Sequence, residues 1–136
     1  MRKRIFLFIS DLNLCRYNGY AVSQDSVISG LLDEISDLEV EKDDIFVASF
    51  PKSGTTWLQQ VVYLLHNQED KEGEIMEWKF PYLEFIYPGL KEIRKRKGER
   101  RFLKTHLPYS FLPKEAADGS KKCKILYIYR NPKAKH

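Results

Sequence analysis

The sequence predicts an α/β fold with a parallel sheet. Short, unbroken apolar runs at 45–48 and 124–129 are typical of strands that are buried on both faces. Elsewhere apolar residues recur at the spacing of amphipathic helices, so helices and strands alternate along the chain. An order of strand, helix, strand and strand with long connections is typical of a parallel sheet.

The N-terminal residues are predicted to add little to this fold. A basic start leads into five apolar residues at 5–9, and Ser10 and Asp11 then end the run. The apolar region of a signal peptide spans about 7–15 residues, so we expect a short strand or a ragged terminus instead. We therefore divide the chain into an N-terminal extension at 1–16 and a domain at 17–136.

The other elements follow from the same patterns. Apolar spacing predicts an amphipathic helix at 25–38, which Asp25 or Ser26 could cap, and the strand at 45–48 comes after an acidic turn. The later elements are a loop at 50–54, a helix at about 55–66, a polar and loop-like connection at 67–80, a strand at 101–105 that ends at His106, a short helix near 113–118, and the strand at 124–129.

Charge is unevenly distributed along the chain of 136 residues. The formal net charge is +4, but seven acidic residues lie within 33–44 and eight basic residues within 91–104. A basic run of this kind can bind nucleic acid, yet no nucleic-acid motif accompanies it. No apolar run approaches the roughly 20 residues of a membrane helix. We expect neither nucleic acid nor a membrane as a partner.

The two cysteines, Cys15 and Cys123, are far apart and form no CxxC motif. No cluster of Cys and His has the spacing of a zinc site, so we expect no metal. Reduced thiols in a cytoplasmic protein are the expectation, and a disulfide between the two cysteines stays open.

Three polar clusters each follow the C-terminal end of a predicted strand. They lie at 52–56, 104–106 and 130–133, and each contains at least one basic residue. In an open parallel sheet the ligand binds at those strand ends. The sequence therefore predicts an anionic ligand.

The first cluster favours a phosphate. A strand, a glycine loop and a helix that opens with two threonines present several backbone N–H groups to an anion. A P-loop kinase or ATPase would need Lys directly after the second glycine of GxxxxGK[ST]. Here Thr55 follows Gly54, and Lys52 precedes it. That alternative is therefore disfavoured.

These clusters resemble the motifs of the cytosolic sulfotransferase family. Residues 50–57 read Phe-Pro-Lys-Ser-Gly-Thr-Thr-Trp and are similar to the family's 5′-phosphosulfate loop. Residues 103–108 and 129–133 are similar to its second and third motifs, and 81–84 also falls where members carry similar residues. The resemblance covers about residues 17–133, and the motifs occur in the order and at the spacing found in the family.

The resemblance implies a P-loop-like, three-layer α/β fold and a PAPS-dependent enzyme. PAPS is 3′-phosphoadenosine 5′-phosphosulfate, and its sulfuryl group would pass, without a metal, to a hydroxyl or amine of a small apolar acceptor. His106 would be the general base, Lys52 would stabilise the leaving group, and Lys104 would help to hold the transferring group. The implied cosubstrate contacts are Lys52, Ser53, Gly54, Thr55, Thr56, Trp57 on adenine and Arg130 on the 3′-phosphate, and the implied acceptor contacts are Phe50, Tyr82 and His106.

The third motif departs from the family pattern. Ala134 stands where the family has Asp, and the sequence ends at His136, before the serine that would share the 3′-phosphate with Arg130. We expect a fold that is incomplete on its C-terminal side, with weak nucleotide binding and little or no turnover by this chain alone. The family's dimer motif is also absent, so we expect a monomer or an undetermined state. A non-catalytic relic that binds nucleotide or a partner protein stays open as an alternative.

Overall fold

The computed structural model describes residues 8–9, 14–23, 27, 29–50, 53–67, 73–84 and 89–131. They form two sheets with helices between and around them. The strands are β1 (Phe8–Ile9), β2 (Leu14–Tyr17), β3 (Tyr20–Ser23), β4 (Ile45–Ser49), β5 (Phe102–Thr105) and β6 (Lys124–Ile128).

The described residues also form five short to medium helices. They are α1 (Leu31–Ser36), α2 (Thr55–Asn67), α3 (Met76–Lys79), α4 (Gly89–Lys95) and α5 (Lys114–Ala117), with a 3₁₀ turn at Tyr109–Phe111. None of those in the described part of the chain combines the length and the apolar character that crossing a bilayer requires.

The N-terminal strands form an antiparallel sheet of their own. β2 and β3 are joined by a two-residue turn, Asn18-Gly19, in which both residues have positive φ (49° and 86°). Such a turn matches the twist of a hairpin. β1 pairs with the other edge of β2, so a short strand is present within the expected region. The proposed boundary after residue 16 falls inside β2.

The second sheet is parallel, as the sequence predicts, and its strand order is β5-β4-β6. Val47 of β4 is in register with Lys104 of β5, and Ser49 is in register with Ile128 of β6. All three strands therefore end at the same edge of the sheet. The described residues of the three polar clusters, at 53–56, 104–106 and 130–131, follow the strands at this edge.

Helices cover both faces of β4 and β5, which makes three layers. Successive residues of a strand point to opposite faces. Phe46 and Leu103 pack on one face with residues of α1 and α4, namely Leu31, Leu32, Ile35, Leu90 and Ile93. The opposite face contributes Ile45, Val47 and Phe102, which pack with Val62 and Tyr63 of α2 and with Phe80.

The predicted helices at 55–66 and 113–118 are confirmed as α2 and α5. The single helix predicted at 25–38 is wrong. α1 begins only after Gly30, whose left-handed φ of 75° interrupts helical geometry. Asp25 and Ser26 lie outside the described residues. The connection at 67–80 also differs, because its apolar residues Met76 and Trp78 belong to α3.

The prediction that β6 is buried on both faces is also wrong. Ile125 and Ile128 are partly buried, the other three residues are exposed, and Tyr127 is 61% exposed. In the described part of the chain β6 is an edge strand, which pairs with β4 on one side. Of its side chains, Ile125 packs against the core cluster that contains Phe46 and Leu103.

The acidic block at 33–44 and the basic block at 91–104 face each other. Arg101 donates to Asp44 in a buried ion pair, and Gly98 N–H donates to both carboxylate oxygens of Glu41 at 3.1 Å. Exposed pairs extend the contact, with Lys97 at 3.1 Å from Glu39 and Arg94 at 3.9 Å from Glu34. Part of the basic run is therefore engaged in ion pairs and hydrogen bonds with the acidic block of the same chain.

Candidate active site

The loop after β4 leads directly into the N-terminus of α2. Gly54 has φ of 99°, and a Cβ there would lie 3.2 Å from Ile128 Cδ1, so the position suits glycine on two grounds. The first N–H groups of a helix have no partner within the helix. No acidic residue lies in the first turn of α2 to compete for them. This terminus is suited to bind an anion.

The side chains of this loop divide into buried and exposed ones. Ser53 and Thr55 are buried, whereas Thr56 is exposed and the Trp57 side chain is 66% exposed. Trp57 is therefore not a core residue, and its indole ring is accessible to a ligand. Pro51 and Lys52 lie outside the described residues, so the expected role of Lys52 stays a prediction.

Ser49 connects this loop to His106. The Ser49 hydroxyl forms a short, buried hydrogen bond with the Thr55 hydroxyl, and it lies 3.2 Å from His106 Nδ1. The Ser49 carbonyl oxygen lies 2.8 Å from the same Nδ1. A carbonyl oxygen only accepts, so Nδ1 carries the proton and donates it to Ser49. The neutral imidazole then presents an unprotonated Nε2.

His106 is half-buried, and its electrostatic surroundings favour the neutral ring. Burial is the main cause that lowers its pKa below the ordinary value of 6.5, and the nearby charge of Lys104 lowers it further. The hydrogen bond to Ser49 opposes both effects. A neutral imidazole with a fixed tautomer can accept a proton at Nε2, as a general base must.

Lys104 and Tyr82 lie beside His106. The Lys104 ammonium is 4.3 Å from the centre of the Tyr82 ring, and the Tyr82 ring meets the His106 ring edge-on at 5.3 Å. Burial lowers the pKa of Lys104, while the charges of Glu77 and Glu84 oppose that change. Burial, with a contribution from Glu84, raises the pKa of Tyr82. The three side chains form one contiguous surface at the end of β5.

The predicted site residues come together to different extents. The loop at 53–57 and the pair Lys104 and His106 share the strand-end edge, where Ser49 joins them. Arg130 is exposed and follows β6 at this same edge. Phe50 is exposed next to the end of β4. In the described part of the chain, His, Cys, Asp and Glu side chains form no group of three or more with metal-site spacing.

Sequence reasoning missed three residues of this site. Ser49 and Thr105 are almost fully buried polar residues at strand ends, and Glu84 accepts a hydrogen bond from the His106 backbone at 2.7 Å. An acidic residue within the aromatic segment 80–85 was the available signal for Glu84. Thr105 lies within the predicted polar cluster at 104–106 but was given no role, and no pattern in the sequence marked Ser49.

The chain was compared with protein families, proteins and solved structures. A model described as "Sulfotransferase domain" matches residues 42–135. Sulfotransferase 4A1 of mouse (Mus musculus) is 40% identical over 108 residues, which are 76% of this chain and 37% of that protein. Amine sulfotransferase of rabbit (Oryctolagus cuniculus) is 34% identical over 124 residues, which are 88% of this chain and 40% of that protein.

A solved structure is similar over the same part of the chain. Mouse sulfotransferase SULT7A1, complexed with PAP, matches with a TM-score of 0.63 and 32% identity, over 88% of this chain and 40% of that one. This likeness confirms the expected α/β fold. The chain spans about two fifths of the length of these relatives.

Proposed function

The chain belongs to the sulfotransferase family, and on that premise we propose that it transfers a sulfuryl group from PAPS to a small acceptor. The observation that carries the proposal is the pairing of His106 Nδ1 with the Ser49 carbonyl, which leaves Nε2 free to accept a proton. Because Ser49 also contacts Thr55, the base and the anion-binding helix terminus belong to one connected site.

The described residues fit the cosubstrate. The N-terminus of α2 would hold its 5′-phosphate through the backbone of 53–57 and the threonine hydroxyls. The close approach of Gly54 to Ile128 and the absence of acidic residues in the first turn support this assignment. The exposed indole of Trp57 would stack on adenine, and the exposed Arg130 would bind the 3′-phosphate.

The residues beside the loop would carry the chemistry. PAPS supplies an activated sulfuryl group when it is bound. His106 Nε2 would take the proton of the acceptor hydroxyl or amine as the new bond to sulfur forms. Lys104 would neutralise charge on the transferring group, and Lys52 would stabilise the leaving phosphate oxygen. No role in this proposal requires a metal.

The acceptor would be a small, largely apolar molecule with a hydroxyl or an amine. Tyr82 lies against both His106 and Lys104, so its ring would form one wall of the acceptor site. Phe50, exposed beside the loop, would add a second apolar surface. One relative is named an amine sulfotransferase, which supports including amines among the acceptors to be tested. We further propose that the protein acts in the cytoplasm.

The exposed outer face of β6 supports a second candidate function. Arg130 follows β6, in which Leu126 and Tyr127 are exposed, so the described residues leave part of this strand uncovered. A non-catalytic relic would bind the nucleotide at α2 without completing the transfer.

Two measurements on the 136-residue chain separate these functions. The first is thermal unfolding with PAP, with ADP as the control that lacks the 3′-phosphate. A ligand that binds the native state raises the melting temperature. The second is transfer of radioactive sulfate from PAPS to small phenols and amines, with His106→Gln as the control. Slow product formation that His106→Gln abolishes supports the enzyme, and a PAP-specific shift without product supports the relic. Equal responses to PAP and ADP contradict both.

A further inference from the structure

The segment 81–84 pairs with β5 beside His106. Lys104 N–H donates to the Pro81 carbonyl at 3.1 Å, and Leu83 N–H donates to the Lys104 carbonyl at 3.0 Å. Tyr82 and Lys104 thereby form a parallel bridge. This pairing fixes the segment on the side of β5 opposite β4, and it brings Glu84 to the end of the strand.

The Glu84 carboxyl group is engaged by the two residues that end β5. Its Oε2 accepts the His106 backbone N–H at 2.7 Å, and it shares a hydrogen bond with the Thr105 side chain. Thr105 is fully buried, and its hydroxyl oxygen also accepts the Leu107 N–H at 3.0 Å. A charged acceptor makes a stronger hydrogen bond to an N–H than a neutral one does. These bonds fix the backbone where the strand turns away.

His106 is therefore held at two points. Glu84 holds its backbone, and the Ser49 carbonyl holds its ring through Nδ1. Only the two side-chain torsions of His106 connect its ring to its backbone. The ring therefore reaches Ser49 only if the backbone of His106 is correctly placed. The direction of Nε2 thus depends on both contacts.

We propose that Glu84 is a positioning residue, which fixes the His106 backbone so that Nδ1 bonds to Ser49 and Nε2 stays open for a proton. Only the consequence for sulfuryl transfer rests on the proposed function. The geometric part concerns contacts within the described residues. In this role Glu84 acts through His106, whose backbone N–H it accepts.

The groups that face Glu84 set its response to pH. Thr105 and the His106 backbone donate to it, Lys104 contributes a favourable charge, and Tyr82 stays a neutral phenol beside it. Burial outweighs these contacts and raises the pKa of Glu84 to about 7. Protonation near neutral pH then weakens the bond to the His106 N–H. The His106 backbone amide should therefore sense this titration.

Nuclear magnetic resonance of the full chain tests the proposal without any turnover. We would follow the His106 backbone amide through the pH range around 7, its hydrogen exchange, and the tautomer of its ring from the imidazole nitrogens. Glu84→Gln keeps an acceptor without the charge, and Glu84→Ala removes the acceptor. Glu77→Gln is the matched control, because Glu77 also acts on Lys104 electrostatically but has no contact with His106.

The expected results differ for each variant. In the unaltered chain and in Glu77→Gln, the His106 amide shift titrates near neutral pH and the Nδ1–H tautomer dominates. Glu84→Gln abolishes that titration and keeps the tautomer. Glu84→Ala accelerates amide exchange of His106 about tenfold or more and mixes the tautomers. Should Glu84→Ala not fold, the comparison of Glu84→Gln with Glu77→Gln still decides.

Two results would overturn the proposal. One is a titration of the His106 amide near pH 7, above that of its own ring, that persists in Glu84→Gln. The other is a folded Glu84→Ala with unchanged exchange and tautomer. If the unaltered chain forms sulfated product, Glu84→Ala should lower kcat while KM for the acceptor stays the same. If no product forms at all, the proposed function is contradicted. The nuclear magnetic resonance experiment would still test the role of Glu84, because it needs no turnover.

Discussion

Arg101 donates from Nη2 to Oδ2 of Asp44 at 2.6 Å, and its Nε donates to Oδ1 of the same carboxylate at 2.8 Å. Both side chains are almost completely buried. Arg101 also donates to the backbone carbonyls of Ile93 and Glu39. This two-pronged ion pair joins the start of β5 to the start of β4 and to α4, so it fixes three elements to one another.

Replacing Arg101 should strongly destabilise the fold. Arg101→Met leaves the Asp44 carboxylate buried without its cation, and losing one partner of a buried pair costs about 3–5 kcal/mol. Urea unfolding measures the free energy. Lys97→Met is the control, because the Lys97 pair with Glu39 is largely exposed and should contribute little to the free energy of unfolding. Similar losses in the two variants would contradict the prediction.

The pH dependence of transfer should follow His106. Its pKa lies below the ordinary 6.5, and the neutral ring is the active form. Activity should therefore be full at neutral pH and should fall only as pH drops through a value below 6.5. His106→Gln should reduce the rate by about 100- to 10,000-fold. A pH–rate profile of kcat measures the effect, and a loss of activity that begins above pH 6.5 would be inconsistent with it.

Protonation of His106 at low pH should also lower the stability of the fold. Burial disfavours the charged imidazole in the folded state, so protonation favours unfolding. The contribution of His106 is present above its unfolded pKa and is lost as pH falls below that value. Urea unfolding at several pH values, compared with His106→Gln, would isolate it. A variant that is equally sensitive to acid would argue against this role for His106.

Trp57 should report nucleotide binding. The chain has two tryptophans, Trp57 and Trp78. Trp78→Phe leaves the backbone carbonyl that accepts from Arg96 and isolates the Trp57 fluorescence. PAP should quench that fluorescence, and Trp57→Ala should weaken PAP binding by about 1–3 kcal/mol, the range for a base stacked on an aromatic ring. Unchanged Trp57 fluorescence at saturating PAP would exclude stacking.

Gly54 and Gly119 form a matched pair of substitutions. Both have positive φ (99° and 75°), so alanine costs about 1–2 kcal/mol at either position. Only at Gly54 would the new Cβ meet another side chain, Ile128 at 3.2 Å. Gly54→Ala should therefore destabilise the chain more than Gly119→Ala and should weaken PAP binding. Equal effects in thermal unfolding and in PAP titration would show that the Ile128 contact is unimportant.

The sequence predicts the parts of the site that repeat a local pattern. The loop at 53–57 and His106 are predicted because a strand is followed directly by glycine or basic residues in the sequence. Ser49 is not, because its role depends on the register that brings it beside Thr55 and His106. Glu84 is likewise identified only when the segment 81–84 pairs with β5. Contacts between residues far apart in sequence are what a local pattern omits.

The fold shows the same division. The strand at 45–48 is predicted well, because burial on both faces leaves a simple apolar run. The strand at 101–105 is also predicted, although Arg101 and Lys104 interrupt its apolar residues. β6 also contains an apolar run, yet three of its five residues are exposed, because exposure depends on which elements cover the sheet and not on the strand itself. The helix at 25–38 fails for a local reason, because Gly30 adopts a left-handed conformation that apolar spacing does not reveal.

The Ser49 hydroxyl bonds to Thr55 on one side and approaches His106 Nδ1 on the other, so a single oxygen atom belongs both to the anion-binding terminus and to the base. Thermodynamic linkage then requires reciprocity: a nucleotide that reorients this hydroxyl changes the proton affinity of His106, and protonation of His106 changes the nucleotide affinity by the same factor. Affinity for PAP should accordingly vary with pH where His106 titrates, and Ser49→Ala should remove that variation.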